Sequence, residues 1–216
     1  MFEFLKKKKE KNNMINDFYL SLISDDNGID YSNLDNTMLN LFETSNKLDK
    51  PIKLIIVCDT NNSLDELRFA DYVYRSSNYD ACILLGNVGE KDINIIKKYV
   101  NLKKTYSAFD FKDINNVDGK VIKINNISVL VCGKMSMSQK ESIEFFNNKQ
   151  NAEVLITYNN KYNDSDKNGF FGINYYIYKN KVSYHIHGSL LRQYKDTMKN
   201  GTREISTYEY EYMDLD

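Results

Sequence analysis

The chain has 216 residues, with 29 Lys+Arg against 30 Asp+Glu, a formal net charge of −1 and 42% hydrophobic residues. That suits one ordinary domain, or a domain with an extension, large enough to bury its own core. A single proline and three cysteines exclude the collagen-like, Pro-rich and disulfide-framework classes.

Charge and hydropathy narrow the class further. The longest apolar runs, such as Leu54 to Cys58 and Val129 to Cys132, fall far short of the ~20 residues that span a bilayer. The N-terminus carries no signal-peptide apolar region, so the expected compartment is the cytoplasm. Near-neutral charge argues against a specific nucleic-acid binder, which needs a surface that neutralises phosphates. Lysines are concentrated in residues 1–13, where Lys6, Lys7, Lys8, Lys9 and Lys11 face only Glu3 and Glu10. The expectation is a solvated arm, with weak membrane contact through Lys6, Lys7, Lys8 and Lys9 as the functional alternative.

In chain order, Met14, Ile15, Phe18, Leu22 and Ile23 recur at helical spacing, and Leu34, Met38, Leu41 and Phe42 repeat it beyond Asp25-Asp26-Asn27-Gly28. The spacing predicts a short helical hairpin. After Pro51 the pattern becomes strand and helix in alternation. Leu54 to Cys58 reads as a buried strand, and Ser63 and Glu66 stand at capping-box spacing before Leu67, Ala70 and Tyr74. Ala81 to Leu85 is a second buried strand, and a helix follows over 92–100. This order implies parallel pairing.

From residue 120 the signal turns partly antiparallel. Strands at 121–124 and 127–131 flank Asn125-Asn126, residues that tolerate the positive φ of a tight hairpin. Ser138 and Glu141 form a second capping-box pair, ahead of Ile143 and Phe146. Glu153 to Thr157 is the next strand, and a polar loop occupies 158–169. Ile173, Tyr175 and Ile177 alternate as in a strand, as do Tyr184 and Ile186, with His185 and His187 on the other face. Ile205 to Tyr212 reads as one final or edge strand with a solvated acidic face. Cys58, Cys82 and Cys132 each sit in an apolar run, as small core thiols do.

Ligands of an α/β sheet gather beyond the C-termini of its strands. The segments there are Asp59-Thr-Asn61-Asn62, Gly86-Asn87-Val88-Gly89, Ser107-Ala-Phe-Asp110, Tyr158-Asn-Asn160 and His185-Ile-His187-Gly188-Ser189-Leu-Leu191. In this order they resemble the calcineurin-like metallophosphoesterase superfamily, in particular its small bacterial phosphodiesterase branch, over about residues 51–216. The resemblance implies a four-layer α/β fold, an αββα sandwich with two mixed β-sheets. The chain then divides into a basic tail and helical extension over 1–50 and a metallophosphoesterase-like domain over 51–216.

The family's first motif, Asp-x-His, resembles Asp59-Thr-Asn61, with asparagine for histidine. Its Gly-Asp resembles Gly86-Asn87. At its Gly-Asn-His-Asp stands Ser107-Ala108-Phe109-Asp110, with Ala108 for the ligand asparagine and Phe109 for the catalytic histidine. Tyr158 stands where a strand ends in histidine, and Ser189 and Leu191 replace both histidines of Gly-His-x-His. His187 adjoins that last motif without occupying a ligand position.

Of the family's metal-holding side chains only Asp59 remains on this alignment. A two-metal site holds cations about 3.5–4 Å apart with anionic and imidazole ligands, and these replacements remove such donors. The expectation is a degenerate metallophosphoesterase-like protein with no cofactor, a non-catalytic binding or scaffolding module whose partner is a protein or another copy of itself. The alternative is a metal-dependent phosphodiesterase or phosphatase with an altered centre built from Asp59, Asn61, Asn87, Asp110 and His187, holding Mn²⁺ or Mg²⁺ weakly.

Overall fold

The computed structural model describes Met38, Ser45, residues 47–162, 169–188 and 194–216. The tail over 1–13, the predicted helical hairpin apart from Met38, and the positions of Ser189 and Leu191 lie outside the described residues.

Two mixed sheets stack face to face. The first has the order β11-β1-β2-β3-β4, made by Glu209–Leu215, Ile52–Cys58, Ala81–Leu85, Thr105–Ser107 and Asn115–Asn116. β1 to β4 are parallel, and β11 closes one edge antiparallel to β1. The second has the order β5-β6-β7-β8-β10-β9, made by Lys120–Ile124, Ile127–Cys132, Val154–Thr157, Tyr184–His187, Arg203–Ser206 and Tyr194–Thr197. Its four central strands are parallel and both edges antiparallel.

Alternation along the strands builds three apolar layers. Leu54, Ile56, Ile83 and Leu85 of the first sheet meet Val129, Val131, Val154, Ile156 and Ile186 of the second in a central core. Each such fully buried side chain contributes about 1.5–3 kcal/mol relative to exposure. The opposite faces are covered by helices. Ile55, Val57, Cys82 and Leu84 pack beneath α1 (Glu66–Arg75) and α2 (Glu90–Tyr99). Leu130, Cys132 and Leu155 pack beneath α3 (Gln139–Asn147) and α4 (Phe171–Asn180), a layer that Met38 also joins. The fold is the expected four-layer sandwich. The three cysteines are buried and free, and burial pushes the Cys82 and Cys132 thiols up to about 12.

Local signals explain several element ends. Asn125 and Asn126 both take positive φ, 49° and 72°, between β5 and β6. The Ser138–Glu141 capping box forms at α3. Three expectations need correction. The cap of α1 is Asp65, whose carboxylate accepts from the Arg68 N–H at 2.9 Å, while the Ser63 hydroxyl turns to the Thr60 carbonyl. The phase of α1 shifts with it: Phe69 and Val73 are buried, and Leu67 and Tyr74 are each 81% exposed. Residues 173–177 are helical, in α4, which is buried at every position from Phe171 to Tyr178. A helix without a wet face carries no 3.6-residue polar stripe to read. Gly172 permits that depth, since a Cβ there would stand 2.1 Å from the Ser142 carbonyl oxygen on α3.

The final correction concerns the C-terminus. Residues 203–215 form two strands in different sheets, β10 beside β8 and β11 beside β1. Tyr210 packs edge-on against Phe69 and Tyr72, and Glu211 is half-buried with Lys195 3.6 Å away.

Candidate functional site

Parallel register brings the strand ends to one rim. Cys58 pairs with Leu85, Leu84 with Ser107, and Cys132 with Thr157. The next residues, Asp59, Gly86-Asn87, Ala108-Phe109, Gly133-Lys134 and Tyr158, therefore emerge together between the two sheets. They frame a cavity of about 410 Å³ lined by Asp59, Gly86, Asn87, Val88, Phe109, Phe111, Lys134 and Tyr158.

The loop after β1 is bent by three residues at positive φ: Asp59 at 55°, Asn61 at 46° and Asn62 at 66°. Aspartate and asparagine are among the few non-glycine residues that tolerate this region. The bend turns the Asp59 carboxylate onto the next loop, where Oδ1 accepts from the Asn87 backbone N–H at 3.0 Å. Asn87 is tied in turn to Asn61, through its carbonyl on the Asn61 N–H at 3.0 Å and its amide on Asn61 Oδ1 at 3.3 Å. Asp92, wholly buried at the start of α2, fixes the far side of the loop. Its carboxylate accepts from the Asn62 N–H at 2.6 Å and the Leu64 N–H at 3.0 Å.

Tyr158 closes the second-sheet side. Its ring lies over Gly86, where a Cβ would come within 2.5 Å of Tyr158 Cε2 and the backbone holds φ at +90°. Burial and the nearby Asp59 charge push the Tyr158 hydroxyl up to about 12, while Asp59 Oδ2 accepts from the Cys58 thiol at 3.6 Å. Phe109 and Phe111 stand with ring centres 6.4 Å apart, inclined at 53°.

The remaining sequence-derived residues divide. Ala108 is buried in the central core. Asp110 is exposed and accepts from the Asn116 amide, its role that of a turn anchor. His187 is on the opposite face of β8 from the central core, inside a buried polar cluster: His187 Nε2 meets the Tyr194 hydroxyl at 3.0 Å, His185 Nε2 meets Thr157 Oγ1 at 3.0 Å, and Glu204 Oε1 lies 3.6 and 3.7 Å from the two imidazoles. Lys161 stands 3.7 Å from the other Glu204 oxygen. Burial lowers both histidines, His187 to about 3.

Lys134, Phe111, Asp92 and Glu204 were not among the candidates. Lys134 carries a usable signal, since it follows the buried strand Ile127–Cys132 just as Asp59 follows β1. Phe111, Asp92 and Glu204 gain their places only through the packing of distant elements. Among the described residues, no three His, Cys, Asp or Glu side chains gather so as to hold a metal ion. The described residues of the cavity, one carboxylate and one amide with aromatic rings, Val88 and the cationic Lys134, do not fit a dinuclear centre.

Among solved structures, one chain aligns over 76% of this chain and 95% of its own, with a TM-score of 0.53 and 12% identity. What the two chains share is a fold of two stacked mixed sheets between helices. An archaeal phosphodiesterase matches over 76% of this chain and 100% of its own, at 12% identity and a TM-score of 0.45. Vps29 from Entamoeba histolytica, crystallised with Zn²⁺, matches over 72% and 73%, at 11% identity and a TM-score of 0.41. At such identities the likeness is one of fold. No protein-family model matches the sequence, and no curated protein does. Among the described residues, no helix is long and apolar enough to cross a membrane.

Proposed function

We propose that this chain is a non-catalytic binding or scaffolding module on a metallophosphoesterase-like fold, with a protein as its ligand. One observation carries the reading. Among the described lining residues the single carboxylate, Asp59, already accepts from the Asn87 N–H and the Cys58 thiol, and the side chains around it are aromatic rings, an amide, Val88 and the cationic Lys134. Fold carries no activity without its site, and dinuclear hydrolysis needs donors that hold two cations and ready a water.

The altered-centre reading asks Asp59, Asn61, Asn87, Asp110 and His187 to converge. Asp110 instead binds Asn116, and His187 faces Tyr194 and Glu204 across β8. Elemental analysis of protein purified without chelator, with a Mn²⁺-supplemented assay on an aryl phosphodiester, tests the choice. The proposal expects neither stoichiometric metal nor turnover. Stoichiometric metal with turnover abolished in Asp59→Ala would overturn it.

A further inference from the structure

We infer that the cavity between the sheets receives an arginine side chain from a partner protein. This deepens the binding-module reading and rests on it. The lining supplies what a guanidinium needs. Among the described lining residues Asp59 is the only carboxylate; with about four acceptor sites, it retains capacity after accepting from the Asn87 N–H and the Cys58 thiol. Phe109, Phe111 and Tyr158 supply three aromatic rings around it. The Phe109 and Phe111 centroids are 6.4 Å apart and inclined at 53°, so a cation beside them can lie within ~6 Å of both ring centres.

Guanidinium suits this place better than ammonium. It is planar, sheds water more readily, stacks on rings and pairs with a carboxylate through two N–H groups. The Asn87 side chain, exposed at the rim, adds an amide oxygen as a further acceptor. Lys134 is exposed at the mouth, so it fits an acidic residue beside the arginine on the partner and disfavours a bare polybasic segment. Both loops that carry the charges are rim loops, open to a protein surface.

The test is ¹H–¹⁵N NMR titration of the full chain with Nα-acetyl-arginine amide, Nα-acetyl-lysine amide and acetyl-aspartate amide. The arginine probe is expected to shift the Gly86, Asn87 and Lys134 amides saturably, and the lysine probe to bind more weakly. Asp59→Asn should weaken the arginine probe by about tenfold or more. Phe111→Ala gives an independent variant, expected to weaken it several-fold, and Lys134→Ala should leave it equal or tighter. No saturable shift, unchanged affinity in both Asp59→Asn and Phe111→Ala, or tighter binding of the aspartate probe would overturn the inference. Mn²⁺ added to the same samples separates the two failures. Stoichiometric Mn²⁺ centred on Asp59 together with aryl phosphodiester turnover sinks the non-catalytic reading, whereas silence with both Mn²⁺ and arginine sinks only this inference.

Discussion

Tyr158, just beyond β7, lies over the Gly86 backbone just beyond β2, so close that a Cβ on Gly86 would come within 2.5 Å of the ring. The contact sets an aromatic wall beside the Asp59 carboxylate, on one side of the cavity between the sheets.

Removing the Tyr158 hydroxyl should be felt little. Tyr158→Phe keeps the ring and its contact with Gly86, so urea unfolding should report a change within about 0.5 kcal/mol. In ultraviolet titration the tyrosine signal lost in the variant should be one that ionises near 12 in the parent. An unchanged titration curve would contradict the partly buried setting of this hydroxyl beside Asp59.

Asp92 is expected to matter more than any rim residue. Its carboxylate satisfies two backbone N–H groups of the loop that shapes Asp59. Asp92→Ala strands both donors, one of them on buried Leu64, and should cost roughly 3 kcal/mol in urea denaturation. Local disorder of residues 59–64 should appear as accelerated amide exchange.

Acidification should destabilise the fold through the histidine pair. Burial puts the folded pKa of His185 and His187 below the unfolded value, with His187 at about 3. Their contribution is therefore complete above about pH 6.5 and is lost as pH falls from there toward 3. Each histidine adds a slope of up to about 1.4 kcal/mol per pH unit. Urea unfolding at pH 7.5, 6 and 5 measures it, and His187→Gln should flatten the profile. A parent profile flat between pH 6.5 and 4 would contradict the buried neutral imidazoles.

Gly172→Ala should strain the α3–α4 contact, because the new methyl meets Ser142 backbone atoms that cannot rotate away. Thermal or urea unfolding should show a loss of about 1–3 kcal/mol, in contrast to a near-neutral Leu67→Ala on the exposed face of α1.

Restoring the family groups together offers a converse prediction. Asn61→His, Asn87→Asp, Ala108→Asn, Phe109→His, Tyr158→His, Ser189→His and Leu191→His in one chain should recover metal binding by elemental analysis, and each alone should not, because such ligands act as a unit. A folded variant that stays metal-free would count against the alignment of these positions.

The sequence alone determined several strands, a turn and a cap. Continuous apolar runs of five such as Leu54–Cys58 and Ala81–Leu85 are short enough to read as strands buried on both faces, and Asn125-Asn126 and Ser138–Glu141 name their own turn and cap. The loops beyond those strands located Asp59, Asn87, Phe109 and Tyr158. Tertiary structure alone decided the rest. α4 lost its periodicity because no face of it meets water. The C-terminal alternation could not announce that it changes sheet at Thr207-Tyr208, since a period of two is the same in either. Parallel register between distant strands, not spacing along the chain, set Phe111 and Lys134 beside Asp59 and turned His187 away from it.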